Sequence, residues 1–576
     1  MTPISEFKRR AAIALLCVFV SALAVTPFFF MGQPLPEGSR WGLRMPETHD
    51  MFLHFDQMRD FYQGLTAGEL YPRWEEDTNY GFGAPTTCFY PPGVYYLTAL
   101  LYPLFHDWTR VLLGAHLLMM AGSAAAAFLL ARRCMSRAAA AAAMIAYVVF
   151  PYHAIDQYHR EALAELLSFV WMPLMLLFVD KLFANTRRLL PAAGLVLSYG
   201  AFLWSHPPTA YQFTLAFCPF LPLLALLRRN WRGLVWTGAG LALGVGLSAA
   251  YLYPAAVEQN FIRHEIIGQI WPYHETYLFM YAGYSKQYFD FFQLLNASWC
   301  FYVVVIVLAV FASLALGSNS GTVSPILSAL RSTFVFWAAI GGFASFMMLR
   351  MSAPLGRRIP KIDIGVFSWR MLAITTLVAA LLAGATVQAA LDAHRARRRG
   401  RFALFGGLAL VILFGGVLFT IFGIMAPVNK QQAFQPEEEH TNYAIIPCTA
   451  PARTDDLPEM DRTTLDGGAG SVTVREWKPQ HRVIGVKSSD AAHLFVRTFN
   501  YPGWNATLDG HPTPLGTDGE TGAIVLDVPA GEHLVTMDFL DTPARRLGAG
   551  ITLLSFLFVL AALAIGAFAG RPKETP

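Results

Sequence analysis

A mostly α, polytopic membrane protein with a β-sandwich domain towards its C-terminus is the fold class this sequence predicts. Three observations predict it. The 576 residues are 55% hydrophobic and 14% charged, with a mean hydropathy of +0.41. Several apolar runs reach the roughly 20 residues that cross a bilayer. Arginine clusters recur between those runs, as they do in cytoplasmic loops. Over residues 427–545 the pattern changes to alternation (SVTVREW, RVIGVKS, HLFVRTF, AIVLDV, HLVTMDF) broken by Gly, Pro and Asp, which reads as short antiparallel strands.

The elements follow in order. Lys8, Arg9 and Arg10 precede an apolar stretch with no evident cleavage site before Gly32, so it reads as a retained first helix over about 11–31. That helix delivers 32–108 to the outside. The run 89–105 looks like a second span, yet counting it as one inverts every later basic cluster. If Tyr90–Phe105 instead lies along the outer membrane face or re-enters it, the clusters agree. Arg132, Arg133 and Arg137, then Lys181, Arg187 and Arg188, then Arg228, Arg229 and Arg232, then Arg331, all fall inside. So do the run Arg395 to Arg401 and the terminal Arg571 and Lys573. This predicts about twelve spanning helices with both termini inside. Residues 1–426 form the transmembrane domain, 427–545 a separate outer β-sandwich domain, and 546–576 a last helix with a short tail. Other outer segments fall near 152–165, 205–208, 254–296 and 351–370. The loop 254–296 mixes aromatics with Arg263, His264, Glu265 and Lys286, as an interfacial segment does.

Several function classes lose support. Basic residues placed between apolar runs are a topology signal, so no nucleic-acid partner is expected. No Walker loop, dinucleotide loop, HExxH or GxSxG motif stands in a fitting context. The six cysteines include no CxxC pair; Cys88 and Cys448 could both lie outside, where a disulfide between them is one option.

The polar residues that remain gather on the outer side. In Pro46–Pro92, Pro46, Thr48 as cap and Gly64 as stop predict a short helix. On it Asp50 and His54, four residues apart, share a face, while Asp56 and Asp60 read as solvated. A carboxylate at a low-dielectric boundary serves as a general base if its pKa rises, or as a metal ligand if it does not. Arg73-Trp74, GFGAP and the FYPP run with Tyr90 make an aromatic-walled loop, suited to sugar rings and equally to an interfacial belt. In YHAIDQYHREALAELL, Arg160, Glu161 and Glu165 form either a staple between helix ends or a phosphate-binding Arg with its supporting carboxylate. His206 and Arg370 add polar groups at the same level, and Arg370 either snorkels or makes a second phosphate contact.

One helix, a long outer loop with an acidic residue near its start, then many helices is a layout that resembles the GT-C superfamily, polytopic glycosyltransferases using polyprenyl-phosphate-linked donors. The matching stretches are His49-Asp50 with His54, Arg73-Trp74, GFGAPTTCFYPP, Arg160 through Glu165, and Ser368-Trp369-Arg370. In the β-domain they are YPGW (Tyr501–Trp504), LDG (Leu508–Gly510) and PAGEH (Pro529–His533). They look closer still to bacterial membrane proteins catalogued as 6-pyruvoyl-tetrahydropterin synthase-related, and to those implicated in lipoteichoic-acid glycosylation. The pterin label has no zinc-binding His cluster behind it here.

The resemblance implies Asp50 as general base, with His54 orienting it or sharing a divalent metal with it. It implies Arg160 and Arg370 on the leaving phosphate, and Arg73, Trp74, Tyr90, Glu161, Glu165 and His206 around the substrates. Many relatives that use a metal carry a paired acidic motif in this loop. This chain has Thr48-His49-Asp50 with Glu47 instead, which leaves the metal open. The implied partners are a polyprenyl-phosphate-linked sugar, an envelope glycan or lipid acceptor, and the bilayer of a bacterial inner membrane, with the active face extracytoplasmic. Two other classes stand beside the enzyme. A flippase or transporter predicts deep charges and an internal repeat; few of the first and none of the second are found. A non-catalytic scaffold with a glycan-binding sandwich predicts that Asp50 is dispensable.

Overall fold

The computed structural model describes residues 3–29, 48–184, 188–263, 273–280, 286–317, 325–362, 367–425, 445–451, 457–458 and 460–569. Glu47, Arg187, His264, Glu265, Arg571 and Lys573 lie outside the described residues.

Eight helices among the described residues are long and apolar enough to cross a membrane, and ten if each of two sharply bent pairs counts as one span. The chain is a membrane protein. Shorter apolar helices cover Ala11–Val25, Gly93–Phe105 and Leu189–Ser205. The thirteen residues of Gly93–Phe105 rise only about 20 Å, well short of a hydrocarbon core of roughly 30 Å. The segment Ser368–Arg395 runs through the centre, with 94% of its apolar window buried. Its Ala-, Thr- and Leu-rich surface packs against Arg137–Val149, Lys286–Gly317, Pro325–Met347 and Arg399–Leu418. Small side chains let these backbones approach closely where no hydrophobic gain separates protein from lipid.

The first loop holds a helix over Met51–Thr66, starting five residues later than Pro46 suggested. Thr48 does not cap it; Asp50 occupies the N-cap position. Gly64 does not stop it either, and lies buried inside it. A side chain there would collide with Pro72, 2.6 Å from the position of a Cβ. The glycine thus marks a close crossing, not a terminus.

The C-terminal insert folds as two antiparallel sheets. One has the order β1 (Thr463–Asp466), β4 (Ala492–Phe499), β8 (Ala523–Val528), β7 (Gly516–Thr517). The other runs β2 (Gly470–Lys478), β3 (His481–Ser488), β9 (Gly531–Phe539), β5 (Trp504–Leu508), β6 (His511–Thr513). Alternate residues of β3, β4, β8 and β9, among them Ile484, Leu494, Leu526 and Val535, meet in one core, as a period of two requires.

That core is not closed by the insert alone. Trp74 and Phe82 of the first loop are part of it. Phe82 stacks on Phe499 at 5.1 Å between centroids, and its carbonyl accepts from the Phe499 N–H at 2.9 Å. Trp74 packs edge-on to Trp504 at 5.4 Å. Gly83, at φ +76°, is required beneath it, since a Cβ would stand 2.4 Å from the indole Nε1. The last helix begins at Pro543, close to the boundary drawn from sequence. Cys88 and Cys448 are both free thiols, so the disulfide does not form; Cys88 is buried and its Sγ points to the Arg73 carbonyl at 3.7 Å.

A buried ion pair joins the β-domain to the helices. Glu258 accepts from Arg545 Nη2 at 2.8 Å and Nε at 3.2 Å, from Tyr501 Oη at 3.2 Å and from Thr542 Oγ1 at 2.5 Å. Both charged side chains are almost fully enclosed. Removing one member strands the other charge, so Glu258→Ala is expected to cost about 3–5 kcal/mol. Replacing both Glu258 and Arg545 by apolar residues is expected to cost less than that single change. Thermal unfolding of the detergent-solubilised protein checks this; a melting temperature unmoved by Glu258→Ala would refute it.

Candidate active site

Arg137–Val149 ends where Phe150 turns out of the helix, and Pro151 restarts it for one turn that widens into a π-turn over Asp156–Arg160. Such wide turns expose backbone and side chains that a regular helix would not. Glu161 follows in the left-handed region at φ +52°, a conformation that costs a non-glycine residue of the order of 1–3 kcal/mol. This turn grips the first loop. The Asp50 N–H donates to the Arg160 carbonyl at 3.0 Å, and the His49 N–H reaches the His159 carbonyl at 3.5 Å. Thr48 Oγ1 donates to Glu161 Oε2 at 3.3 Å, and His116 Nε2 lies 3.7 Å from the other oxygen.

The Arg160 guanidinium is the hub. Its Nη1 donates to Asp156 Oδ1 at 2.6 Å, Glu165 Oε2 at 2.7 Å and Tyr152 Oη at 3.3 Å. Its Nη2 faces Asp50 Oδ2 at 4.0 Å. Glu165 Oε2 also accepts from Arg370 Nε at 3.1 Å, and Glu165 Oε1 from Tyr152 Oη at 2.8 Å. Arg370 stands at the start of Met371–Arg395 with its guanidinium over the Phe367 ring at 4.5 Å. The hydrogen-bonded hub thus sets two guanidinium groups against two carboxylates, with Glu161 buried alongside at Thr48. Asp50 is the additional negative charge, and the exposed one, with 36% of its side chain open to solvent.

Tyr90 and His206 complete the surroundings. Asp50 and Arg370 are among the nearest charges to Tyr90. His206 caps Pro207–Phe217, its Nδ1 accepting from the Thr209 N–H at 3.3 Å, with Arg370 and Glu165 as neighbouring charges. His54 lies one helical turn beyond Asp50, its backbone N–H donating to the Asp50 carbonyl at 3.0 Å. Its Nδ1 meets Tyr95 Oη at 3.0 Å, and that hydroxyl donates onward to Gln57 Oε1, so Nδ1 carries the proton. Burial holds His54 down at about 4, against the opposing pull of Asp50, so the ring is neutral. Arg73 and Trp74 lie elsewhere. Trp74 fills the β-domain core, and Arg73 reaches Asp541 at 3.5 Å, the Ala250 carbonyl at 3.3 Å and the Tyr71 ring at 4.0 Å.

Two residues that the sequence reading left out belong to the cluster. Asp156 lies four residues before Arg160, a spacing that pairs side chains on a helix; Tyr152 lies one further turn back. Glu161, expected beside Arg160, points to Thr48 because its left-handed backbone turns it away.

Among the described residues no three His, Cys, Asp or Glu side chains converge as a ligand set. His54 Nδ1 is engaged by Tyr95 while Nε2 has no hydrogen-bond partner among the described residues, and Asp156 and Glu165 accept from Arg160.

No protein-family model matches the sequence, and no curated protein does. Among solved structures, similarity is found to the oligosaccharyltransferase of Archaeoglobus fulgidus in its apo form, with 13% identity over 73% of this chain and 56% of that one, at a TM-score of 0.44. The arabinosyltransferase EmbB of Mycobacterium smegmatis gives 12% identity over 94% of this chain and 64% of that one, at 0.38. ArnT of Cupriavidus metallidurans, solved with undecaprenyl phosphate, gives 12% over 68% and 80%, at 0.26. The chain thus spans less than two thirds of the first two. Every one of these TM-scores lies below 0.5, where a likeness does not establish a shared fold.

Beneath the Trp74 loop sits a second acidic pair. Asp60, expected to be solvated, is 5% exposed. Its oxygens and those of Glu75 are buried without hydrogen-bond partners among the described residues. Burial pushes both carboxyls up, Glu75 to about 8, and each is near other carboxylates. The fold thus holds these protons more tightly than the unfolded chain. The stability that the Glu75 proton contributes is complete below about pH 4.5 and is lost as the pH rises through about 8. Glu75→Gln is expected to raise the melting temperature more at pH 8 than at pH 5. An equal change at both values would show that Glu75 is ionised in the fold.

Proposed function

We propose that this chain is a membrane glycosyltransferase that takes a sugar from a polyprenyl-phosphate carrier and places it on an envelope glycan or lipid. The reaction occurs at the extracytoplasmic face of a bacterial inner membrane. The observation that carries this reading is one open carboxylate, Asp50, fixed by its own backbone 4.0 Å from a buried guanidinium. A second guanidinium, Arg370, is tied to the first through Glu165.

Asp50 takes the proton of the acceptor hydroxyl, whose oxygen attacks the anomeric carbon. The bond from that carbon to the phosphate oxygen breaks, and the lipid phosphate departs with the electron pair. Arg160 and Arg370 neutralise the charge that develops on it, in a site whose low dielectric strengthens the attraction. Direct displacement inverts the anomeric centre. Tyr90, with His206 at the helix cap, walls the sugar. Glu165 keeps both guanidinium groups oriented, and His54 supports the loop helix through Tyr95. The site end of the bundle, with the β-domain, faces outward. The twelve-span arrangement follows if both bent pairs and the helices over 11–25 and 189–205 all cross.

Asp50→Asn keeps the shape of an exposed side chain, so it is expected to fold normally and to lower turnover by about 10²–10⁴. Arg370→Gln is expected to lower it by about 10²–10³. The measurement is the mass profile of envelope glycans in a deletion strain complemented with each variant at equal membrane levels. Loss of one sugar mass with both variants supports the enzyme. An unchanged profile with Asp50→Asn removes Asp50 as base and favours a scaffold.

A further inference from the structure

The helix Leu163–Ala184 carries Glu165 at one end and Asp180 at the other. Fifteen residues separate them, about 22 Å along the axis. The span Pro207–Arg228 likewise begins beside His206 and ends at Arg228. A cavity of about 230 Å³ opens at this far end, lined by Arg133, Asp180, Arg228 and Thr333 with apolar walls that include Leu176 and Trp337.

Its polar groups are unevenly matched. Asp180 alone accepts from two cations, Arg133 Nε at 2.7 Å and Arg228 Nη2 at 2.9 Å. Arg228 Nη2 also donates to Thr333 Oγ1 at 2.8 Å. Arg228 Nε is buried with no hydrogen-bond partner among the described residues. Among the described residues, two guanidinium groups against one carboxylate leave an excess of positive charge at an apolar-walled space near the end of the spans.

Guanidinium forks match phosphate oxygens, and apolar walls match acyl chains. The volume is below the roughly 300–1,000 Å³ of drug-sized sites, which suits a headgroup whose chains remain in the bilayer and is too small for a sugar-bearing lipid. We propose that this cavity binds the phosphate headgroup of a membrane lipid, in the leaflet opposite the Asp50 site. Arg133 and Arg228 hold the phosphate and Asp180 is the counter-ion it displaces. The proposal does not depend on the role given to Asp50.

The test is native mass spectrometry of the full chain in detergent, titrated with dioleoyl phosphatidic acid and, in a second arm, with inorganic phosphate. Arg228→Gln is expected to weaken lipid binding roughly tenfold or more, by loss of charge-assisted hydrogen bonds. Asp180→Asn is expected to strengthen it, because the competing carboxylate is gone. A purely structural ion pair would be weakened by Asp180→Asn with no gain in lipid. That result, or equal lipid retention by wild type and folded Arg228→Gln, overturns the proposal. Displacement of the lipid by inorganic phosphate at comparable concentration also overturns it, since the free ion is then the ligand. If Arg228→Gln does not fold, the direction of the Asp180→Asn change decides.

Discussion

The arrangement at the β-domain end of the bundle depends on one buried carboxylate. Glu165 accepts from Arg160, from Arg370, which lies 205 positions further along the chain, and from Tyr152. An ionised carboxylate buried among apolar helices would be prohibitive alone, and each guanidinium would be equally costly without it. Their mutual need fixes the start of Met371–Arg395 against the π-turn that follows Arg137–Val149. The same guanidinium that Glu165 holds presents its second nitrogen to Asp50. A rigid buried pair thus positions an exposed acid, which is how a binding site for an anion can be kept ready beside a base.

The first loop links that end of the bundle to the β-domain. Its backbone is pinned at Asp50 to the Arg160 carbonyl, and further along the same loop Trp74 and Phe82 complete the sheet core. A shift of the β-domain would pull on the helix Met51–Thr66 and hence on Asp50. Glu258 and Arg545 brace the same joint from the helical side, where Tyr501 of YPGW also bonds. Motifs such as YPGW and GFGAP are therefore legible as joints: their aromatics pack and bond across the two domains, and a glycine admits the neighbour.

Much of the fold was legible in the sequence, for a plain reason. Apolar runs and period-two alternation are local signals, and lipid or a sheet core imposes them directly. The candidate residues Asp50, Arg160, Glu165 and Arg370 were legible too, since charge near apolar helix ends is expensive and stands out. What was not legible depended on backbone detail or distant contacts. Glu161 looked like a partner of Arg160 until its left-handed φ turned it to Thr48. Asp60 looked solvated because nothing in its helix reveals that the loop holding Glu75 covers it. Trp74 looked like a sugar platform because its partners, Trp504 and Phe539, lie more than 400 residues away.

Glu165 and Asp180 make one further point together. Both are single carboxylates on the same helix, each shared by two arginines from other helices. At the Glu165 end a second carboxylate, Asp156, faces the same guanidinium groups, with Glu161 buried against Thr48 and Asp50 the more open acid beside them. At the Asp180 end the described ion pairs show no such second acid, and the excess is positive. Two ends with the same bracing but opposite surplus will not attract the same group. The first presents a partly open carboxylate as well as cations, the feature on which the role proposed for Asp50 rests. The second presents two cations around one carboxylate, Asp180, which both of them already hold, so its surplus suits an anion. On that difference in carboxylates rest the separate roles proposed for the two ends.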